Sequence, residues 1–369
     1  MLDFSNSAVK AVFGRISKMV KIKAISIVIA VILVIITSLF LYRNFSNQDH
    51  QISSKTLSLI ERGIVDPDFE VDIFKEDKVY LANTLLPDNH KIDNPRVIEV
   101  NILGEIIWEY QLPEDLKKYT NPGFDAEKLP NGNVLILLPA KGVFEIDQDK
   151  NIIWSYLDSK VSHDADRLPD GNTLISFGNG DGKEDSQVKE VDKNGNIIWS
   201  WKAKDYFDND QFGSLYDQGW THTNAVARLE NGNTLISPRN FNLLIEVNPL
   251  GKVVKTFGKE FLVKQHDPEI LANGNILIAN HGEPHQAVEY NYQSEEKIWV
   301  FPIPEKKNWP VRDADRLPNG NTLITGSAKI FEVTPKGEVV WQFGLKKPEF
   351  DSPKDAPAKG FFKAQRIVQ

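Results

Sequence analysis

Short runs of alternating apolar and polar residues recur along the chain, each ending in the same kind of turn. Asn-Gly or Asp-Gly occupies five of these turns, which begin at Asn131, Asp170, Asn231, Asn273 and Asn319. Such a pair between two extended runs predicts a β-hairpin, because both central residues of the favoured turn need a positive φ. A strand of the IxEV type, a second polar turn and an aromatic-rich strand follow, as in VKEVDKNGNIIWSW. Each repeat therefore predicts four antiparallel strands.

Repeats of about 40 residues with four strands are typical of β-propeller blades, which pack around a central channel. A sixth copy, ending at Tyr110, lacks its first strand, and the C-terminal segment Phe362–Gln369 matches that missing strand. Joining both chain ends in one blade closes the ring without leaving an open sheet edge. We therefore predict an all-β, six-bladed propeller over residues 78–369 whose first blade is completed by the C-terminal strand.

One continuous apolar segment, residues 24–42, interrupts this pattern before the repeats begin. It contains no charge and is long enough to cross roughly 30 Å of hydrocarbon as a helix. Residues 1–23 are basic and only Arg43 follows closely, so the positive-inside rule predicts a cytoplasmic N-terminus and an extracytoplasmic propeller. Residues 43–77 are then a linker. A cleaved signal peptide is the alternative, but TSLFLYRNFSN offers no small-residue cleavage site.

Charge and composition narrow the function classes. A net charge of -8 and a pI near 5.5 argue against nucleic acid as a partner, because its binding needs a basic surface that displaces phosphate counterions. The chain has no cysteine, which excludes disulfides, thiolate metal sites and a cysteine nucleophile. The hydrophobic content of 41% is sufficient for a sizeable core. The oligomeric state stays open.

The start of each first strand should lie at the mouth of the channel, because that strand is innermost in a blade. The segment SHDADRLPDGNTLIS returns as VRDADRLPNGNTLIT with its histidine replaced by arginine, so scaffold positions repeat while channel positions diversify. The second strand of each blade runs back to the same rim, so residues at its end can also face the channel. In the fourth blade, His222 lies two residues before Asn224 and therefore on the same face of the strand. The predicted channel residues are Phe362, Phe124, His163, His222, Asn224, His266, Arg312, Arg239 and His281. Such a set suits an anion attached to an aromatic group.

Four aspartates follow the channel position in most blades, whether or not a histidine precedes them. We interpret them as structural, with side chains that point away from the channel and bind backbone amides of neighbouring blades. These residues are Asp125, Asp164, Asp267 and Asp313. Recurrent tryptophans are interpreted as blade packing; they are Trp108, Trp154, Trp199 or Trp201, and Trp341.

The chain resembles the arylsulfotransferase family over roughly residues 78–369. Three segments carry the resemblance: THTNAVARLENGNTLISPRN, KQHDPEILANGNILIANHG and SHDADRLPDGN. The resemblance implies transfer of a sulfuryl group from an aryl sulfate to a phenol, through a sulfohistidine and without a nucleotide donor. It implies that His266 becomes sulfated and that His222, Asn224, Arg239 and His163 complete the site. No cofactor or metal is implied.

The residue types suit these roles. Neutral imidazole is a nucleophile able to carry the transferred group, and nearby arginines would keep His266 neutral. His163 would protonate the departing phenolate and later deprotonate the acceptor, although His222 could exchange roles with it. From the repeat alignment, Phe124 and Phe362 are expected to stack on the aryl ring.

Two other functions stay open at this point. One is a non-catalytic, membrane-tethered propeller that binds a ligand or a protein partner, since a fold alone fixes no function. The other is a metal-dependent hydrolase, because three imidazoles can bind zinc. Two arginines near the mouth and the lack of a carboxylate at the aligned channel positions count against the hydrolase. The donor and acceptor are not identified by the sequence.

Overall fold

A computed structural model describes residues 52–367 except 92, 122, 208–217 and 349–359. In chain order, the strands of the first half are β1 (Ile64–Val65), β2 (Phe69–Ile73), β3 (Thr84–Asp88), β4 (Arg96–Val100), β5 (Glu105–Gln111), β6 (Asp125–Lys128), β7 (Val134–Leu138), β8 (Gly142–Ile146), β9 (Ile152–Leu157), β10 (Val161–Arg167), β11 (Thr173–Phe177), β12 (Val188–Val191) and β13 (Ile197–Trp201).

The strands of the second half are β14 (Thr223–Arg228), β15 (Thr234–Pro238), β16 (Leu244–Val247), β17 (Val253–Phe257), β18 (Gln265–Ile270), β19 (Asn275–Asn280), β20 (Gln286–Asn291), β21 (Lys297–Pro302), β22 (Asp313–Arg316), β23 (Thr322–Thr325), β24 (Lys329–Val333), β25 (Val339–Leu345) and β26 (Gln365–Arg366). Short α-helices are α1 (Ser54–Leu57) and α2 (Lys204–Phe207), and single 3-10 turns cover Glu76–Lys78, Lys117–Tyr119, Arg239–Phe241 and Lys306–Asn308.

These strands form six antiparallel sheets, which confirms the predicted all-β propeller of six blades. Blades two to five each contain four consecutive strands, in the orders β6-β7-β8-β9, β10-β11-β12-β13, β14-β15-β16-β17 and β18-β19-β20-β21. Blade one has the order β26-β3-β4-β5-β1, and blade six the order β22-β23-β24-β25-β2, both from the channel outward. The Asn-Gly and Asp-Gly turns connect first to second strands, as the hairpin pattern predicts.

Blades one and six differ from the prediction by one extra outer strand each. β1 pairs with β5, and β2 pairs with β25 over its whole length, with Phe69 opposite Leu345 and Ile73 opposite Trp341. Both extra strands lie within residues 43–77, which the sequence predicted to be a linker. The physical reason is that the outermost strand of a blade has an open edge, and an extended upstream segment can pair with it.

The C-terminal strand closes the ring as predicted. β26 pairs antiparallel with β3, with Gln365 opposite Leu85 and Arg366 opposite Thr84. Arg366 also reaches the neighbouring sixth blade, where its guanidinium binds Glu332 at 2.6 Å in a pair with 0% side-chain exposure on both sides. The chain end therefore joins blade one to blade six through both a strand pair and a buried ion pair.

Tryptophans contribute to the contacts between blades, as expected. The indole N–H groups of Trp154, Trp199 and Trp201 donate to backbone carbonyls of the following blade at 3.0, 3.1 and 3.0 Å. Trp341 is fully buried in the cluster between blades six and one and donates to the Ile102 carbonyl at 2.9 Å. Trp108 packs against the core between blades one and two.

The predicted cytoplasmic segment, residues 1–23, and the predicted anchor, residues 24–42, lie outside the described residues. Among the residues that the structure does describe, no helix is long and apolar enough to span a membrane. The anchor stays a prediction from the sequence.

The buried pair between Arg366 and Glu332 predicts a large effect on stability. Replacing Glu332→Gln leaves the Arg366 guanidinium buried without its counter-charge, which we expect to cost about 3–5 kcal/mol of unfolding free energy. Urea unfolding of the purified chain measures this loss of unfolding free energy. Glu114→Gln is the control, because Glu114 is 89% exposed in its pair with Lys117 and should matter by less than about 1 kcal/mol. Equal midpoints and slopes for the two variants would contradict the role assigned to the closing ion pair.

Candidate active site

Four imidazoles, hereafter the imidazole cluster, gather where the inner strands of blades three to five begin or end. His163 lies in β10, His222 immediately precedes β14, His266 lies in β18 and His281 follows β19. The ring centroids of His163 and His222 are 5.3 Å apart, and those of His266 and His281 are 4.4 Å apart with an interplanar angle of 13°. The structure thus brings together all four histidines predicted at the channel.

Phe362 links the two pairs of imidazoles. Its ring centroid lies 4.9 Å from that of His163 and 6.2 Å from that of His266. The guanidinium carbon of Arg312 lies 5.2 Å from the centre of the same ring. Phe362 therefore packs against the cluster, as its aligned position predicts, and its ring is already in contact with three site residues.

Backbone carbonyls fix the tautomers of two histidines. The Nδ1 atom of His266 lies 2.9 Å from the Lys264 carbonyl, and the Nδ1 atom of His222 lies 2.9 Å from the Gln218 carbonyl. A carbonyl oxygen only accepts, so each Nδ1 carries the proton and each Nε2 keeps a free lone pair. These two rings therefore offer nucleophilic or basic nitrogens to the site.

Other polar atoms of the cluster are buried and have no hydrogen-bond partner in the part of the chain that the structure describes. They are Nδ1 of His163, Nδ1 of His281, Oδ1 of Asn224 and Nη2 of Arg312. Asn224 itself is held in place because its amide N–H donates to the Gln265 carbonyl at 3.0 Å. Buried polar groups are normally hydrogen-bonded, so several unpaired atoms in one place are what a ligand site leaves open.

Two guanidiniums stand beside the imidazoles without a carboxylate. Arg239 Nη2 donates to Gln218 Oε1 at 2.6 Å, and Arg239 Nε donates to Asn240 Oδ1 at 3.4 Å, both neutral acceptors. Arg312 Nη1 donates to the Phe361 carbonyl. Among the ion pairs of the described residues, neither arginine takes part in one. The site therefore carries positive charge that an anion would balance.

Burial and the arginines keep the imidazoles neutral. Burial first, and then Arg239 and Arg312, lower the pKa of His163 to about 3. Burial and the same positive field hold the pKa values of His222, His266 and His281 well below their usual range. Burial also lowers the pKa of Arg239 to about 10 and that of Arg312 to about 9. At neutral pH the site therefore combines neutral imidazoles with cationic guanidiniums.

Asp181 holds the segment that carries His222, and the sequence did not single it out. Its buried carboxylate accepts hydrogen bonds from the Thr221 amide at 3.1 Å, the Thr221 hydroxyl at 2.8 Å and the His222 amide at 3.2 Å. His222 has a φ of +46°, an uncommon backbone conformation for a histidine. A Cβ at Gly219 would lie 2.3 Å from Asp181 Oδ1, so the close approach requires glycine there. The signal available in the sequence was the Gly-rich loop FGNGDGKEDS.

The structure does not place Phe124 with the imidazole cluster. Its side chain is completely buried in the apolar core between blades one and two, together with Leu85, Val97 and Leu138. The described contacts therefore assign Phe124 to packing, which corrects the expectation that it stacks on a substrate.

The four repeated aspartates differ in part from the prediction. The Oδ2 atoms of Asp164 and Asp313 do accept backbone amides of the next blade, from Val226 at 2.7 Å and Ala364 at 2.9 Å. The expectation that the aspartates point away from the channel is wrong. They line a central cavity of about 900 Å³, hereafter the carboxylate cavity.

Lys363 pairs with three of these inward-pointing carboxylates. From the C-terminal segment its ammonium reaches Asp164 at 2.7 Å, Asp267 at 3.1 Å and Asp125 at 3.6 Å. Three blades thus supply carboxylates to one buried cation. Lys363 occurs once, where other blades have an acidic residue or alanine, so the repeats gave no signal for it.

Metal-ligand spacing occurs in the carboxylate cavity and not in the imidazole cluster. Within the described ranges, the group with such spacing is Asp267, Asp313 and Asp315, whose oxygens lie within 4.8 Å of one another. The histidines do not form a group of this kind in that part of the chain. The geometry of the imidazoles thus gives no support to the zinc hydrolase considered from the sequence.

Comparisons with solved structures concern the fold. A protein of unknown function from Bacteroides caccae is 19% identical, with a TM-score of 0.58 over 79% of this chain and 100% of that chain. Virginiamycin B lyase from Staphylococcus aureus is 13% identical, with a TM-score of 0.48 over 76% of this chain and 90% of that chain. At these identities the first likeness shows the fold alone, and the second carries no argument about function. No curated protein matches the chain.

A family model of the arylsulfotransferases (ASST) matches residues 71–260. The match covers more than half of the 369 residues and includes His163, His222, Asn224 and Arg239, while His266 lies six residues beyond its end. The family supports aryl sulfotransferase activity in general. The chain belongs to the arylsulfotransferase family.

Proposed function

We propose that the protein transfers a sulfuryl group from an aryl sulfate to a phenol without a nucleotide, through a sulfohistidine on His266. The observation that carries this proposal is the state of His266: a buried, neutral ring whose Nδ1–H is held by the Lys264 carbonyl at 2.9 Å. Its Nε2 lone pair therefore faces a site in which the Arg239 guanidinium has no carboxylate partner among the described residues. A neutral nucleophile beside a guanidinium that can bind an anion is what attack on a sulfate ester needs.

In the first step the Nε2 lone pair of His266 attacks sulfur. An N–S bond forms, the bond between sulfur and the aryl oxygen breaks, and the electron pair leaves with the phenolate. A sulfuryl group, like a phosphoryl group, carries charge on its peripheral oxygens in the transition state, so positioned positive charge accelerates the step. Arg239, fixed by Gln218 and Asn240, supplies that charge.

In the second step the phenol oxygen of the acceptor attacks the same sulfur. The O–S bond forms, the N–S bond to His266 breaks, and the phenolic proton goes to a base. His222 suits this role, because its Nδ1–H is bound by Gln218 and its Nε2 lone pair is free. Its ring lies 5.3 Å from that of His163, the other candidate for proton transfer.

Asn224 acts on the nucleophile through the backbone. Its amide N–H binds the carbonyl of Gln265, the residue before His266, at 3.0 Å. This bond ties the start of blade four to the strand that carries the nucleophile. We therefore assign Asn224 a positioning role, with its free Oδ1 facing the site.

The covalent intermediate gives the most direct test. We expect the purified chain, mixed briefly with 4-nitrophenyl sulfate, to gain the mass of one sulfuryl group and to release nitrophenolate. His266→Asn should lose the adduct and slow release by at least about 10³-fold, the scale of removing a nucleophile. His90→Asn is the matched control, because His90 pairs with Asp68 and Asp88 outside the cluster. Release without any adduct on the parent, or an adduct that survives in His266→Asn, contradicts the proposal.

The low pKa values predict how sulfuryl uptake depends on pH. Neutral imidazole is the reactive form, and a pKa well below the usual value of about 6.5 means that protonation removes it only in more acidic solution. Single-turnover uptake from 4-nitrophenyl sulfate should therefore not decline as the pH falls from about 8 through about 6.5, the pKa of an ordinary histidine. A rate that falls tenfold per pH unit below about pH 6.5 would show that His266 titrates as an ordinary histidine.

Asp181 should affect turnover although it lies behind the site. Asp181→Asn replaces one acceptor oxygen with a donor that opposes the amides of Thr221 and His222, so the His222 segment shifts. We expect transfer to phenol to slow by about 10²-fold, the scale of a small misplacement of a reacting group. Asp185→Asn is the control, since Asp185 binds the Gly182 amide and Lys160 in the same loop. If both variants transfer equally fast, Asp181 has no positioning role.

A further inference from the structure

Arg312 is a buried cation that the proposed reaction does not use. The residue is 1% exposed, its Nη1 binds the Phe361 carbonyl, and its Nη2 has no partner among the described residues. Its guanidinium lies 5.2 Å from the Phe362 ring centre, beside the imidazole cluster. In the described part of the chain no carboxylate forms an ion pair with it.

Arg366 is a second buried arginine of this protein, and unlike Arg312 it has a carboxylate partner among the described residues. Both arginines belong to inner strands or lie directly before one, and both are almost inaccessible to solvent. Arg366 pairs with the buried carboxylate of Glu332 at 2.6 Å, whereas Arg312 has only a carbonyl and an aromatic ring. Because a buried charge is costly without a counter-charge, an unpaired guanidinium in a ligand site indicates an anionic ligand group.

Comparison of two repeats indicates that the positive charge of Arg312 is specific to this position and is not a feature of the repeated blade scaffold. SHDADRLPDGNTLIS and VRDADRLPNGNTLIT are identical at 11 of 15 positions, and the one difference that introduces a positive charge is His163 against Arg312. The change places a permanent positive charge where the third blade has an imidazole. The surrounding scaffold has not changed to supply an acidic partner.

The two guanidiniums act on different sides of the imidazole cluster. Among the charges that lower the pKa of His222, Arg239 has the largest effect. The pKa of His281 is lowered more by Arg312 than by Arg239. Both arginines affect His163 and His266. The contacts agree: Arg239 Nη2 donates to the side chain of Gln218, whose backbone carbonyl binds Nδ1 of His222. Arg312 lies beside the Phe362 ring, which packs against His266, and the ring of His281 stacks on that of His266. Arg239 is therefore on the His222 side of the cluster, and Arg312 is on the Phe362 side.

Building on the sulfuryl transfer proposed above, we propose that Arg312 and His281 form a second anion subsite that selects aryl substrates carrying a carboxylate. Among the described residues, Nη2 of Arg312 and Nδ1 of His281 both lack a hydrogen-bond partner. A planar guanidinium matches the geometry of a carboxylate. The donor and the acceptor meet the same nucleophile in turn, so one subsite serves the aryl ring of both.

Matched acceptors test this specificity. With the full chain and 4-nitrophenyl sulfate as donor, we compare kcat/KM for 3- and 4-hydroxybenzoate with kcat/KM for their neutral methyl esters. For whichever hydroxybenzoate reacts faster, we expect the parent to have a kcat/KM about tenfold or more above that of its methyl ester, the value of one hydrogen bond to a charged group. Arg312→Gln should lose this preference while the rate with the ester changes by less than about threefold. Arg312→Lys, which keeps the charge, should retain part of it.

Arg239→Gln is the matched control on the other side of the nucleophile. It should slow acid and ester alike, because the sulfuryl group is common to both reactions. If Arg312→Gln also slows acid and ester by the same factor, Arg312 binds the sulfuryl group and the second subsite is wrong. A parent that shows no preference for either acid overturns it as well.

Binding separates this proposal from the proposed reaction. Calorimetric titration of the unreacted chain with each hydroxybenzoate and its ester reports the subsite without any turnover. If the parent binds an acid more tightly than its ester and Arg312→Gln removes this difference, the subsite is supported even when no donor is turned over. In that case only the proposed sulfuryl transfer would be wrong. Equal binding of acid and ester by the parent overturns the subsite whatever the activity. Circular dichroism and unfolding of each variant confirm that a loss reflects the site and not the fold.

Discussion

The pairing of the last strand with the first blade is the constraint on which the rest of the molecule depends. The ring is closed by a shared sheet, in which β26 completes blade one beside β3. Because this strand is innermost, closing the ring also brings the residues just before it to the centre. Phe362 contacts two imidazoles and Lys363 contacts three carboxylates. Closure of the fold and assembly of the site are therefore one event.

Charge is separated along the channel. Among the described residues, the arginines of the imidazole cluster have no carboxylate partner, whereas the carboxylate cavity has many acidic groups around the ammonium of Lys363. Burial raises the pKa values of Asp166 and Asp315 well above their usual range, with repulsion between neighbouring carboxylates as a further cause. An anionic substrate is therefore favoured beside the histidines and disfavoured in the cavity beyond them. The inner strands produce this separation by presenting different residue types at successive positions.

Much of the fold was predictable because the repeats fix strand register. Asn-Gly and Asp-Gly turns place equivalent residues at equivalent points of each blade, so aligning them identified His163, His222, His266 and His281 as neighbours. A repeat alignment cannot detect features that occur once. Lys363, Asp181 and the outer strands β1 and β2 have no counterpart in the other blades.

Phe124 shows a second limit of the same alignment. Equivalent backbone positions need not direct their side chains to the same place when the local conformation differs. Gly123 has a φ of +136°, and a Cβ there would lie 2.1 Å from the Phe362 ring. The Phe362 ring thus occupies the space beside Gly123, while the Phe124 side chain enters the core. At neighbouring positions of the inner strands, one phenyl ring therefore contacts the cluster and the other packs in the core.

The same electrostatics that keep the imidazoles neutral also make their basicity depend on the substrate. Burial is the larger cause of their low pKa values, and the positive field of Arg239 and Arg312 adds to it. In the reaction proposed above, a bound sulfate ester would place negative charge beside Arg239 and cancel part of that field, so the affinity of a neighbouring imidazole for a proton would rise. Before binding, the proposed nucleophile His266 is unprotonated. Once His266 carries the sulfuryl group, the charge of that group would keep His222 or His163 a better base, at the stage when the acceptor loses its proton. Guanidiniums without counter-charges would thus serve the free protein and the complex in different ways, which a site neutralised by its own carboxylates would not do.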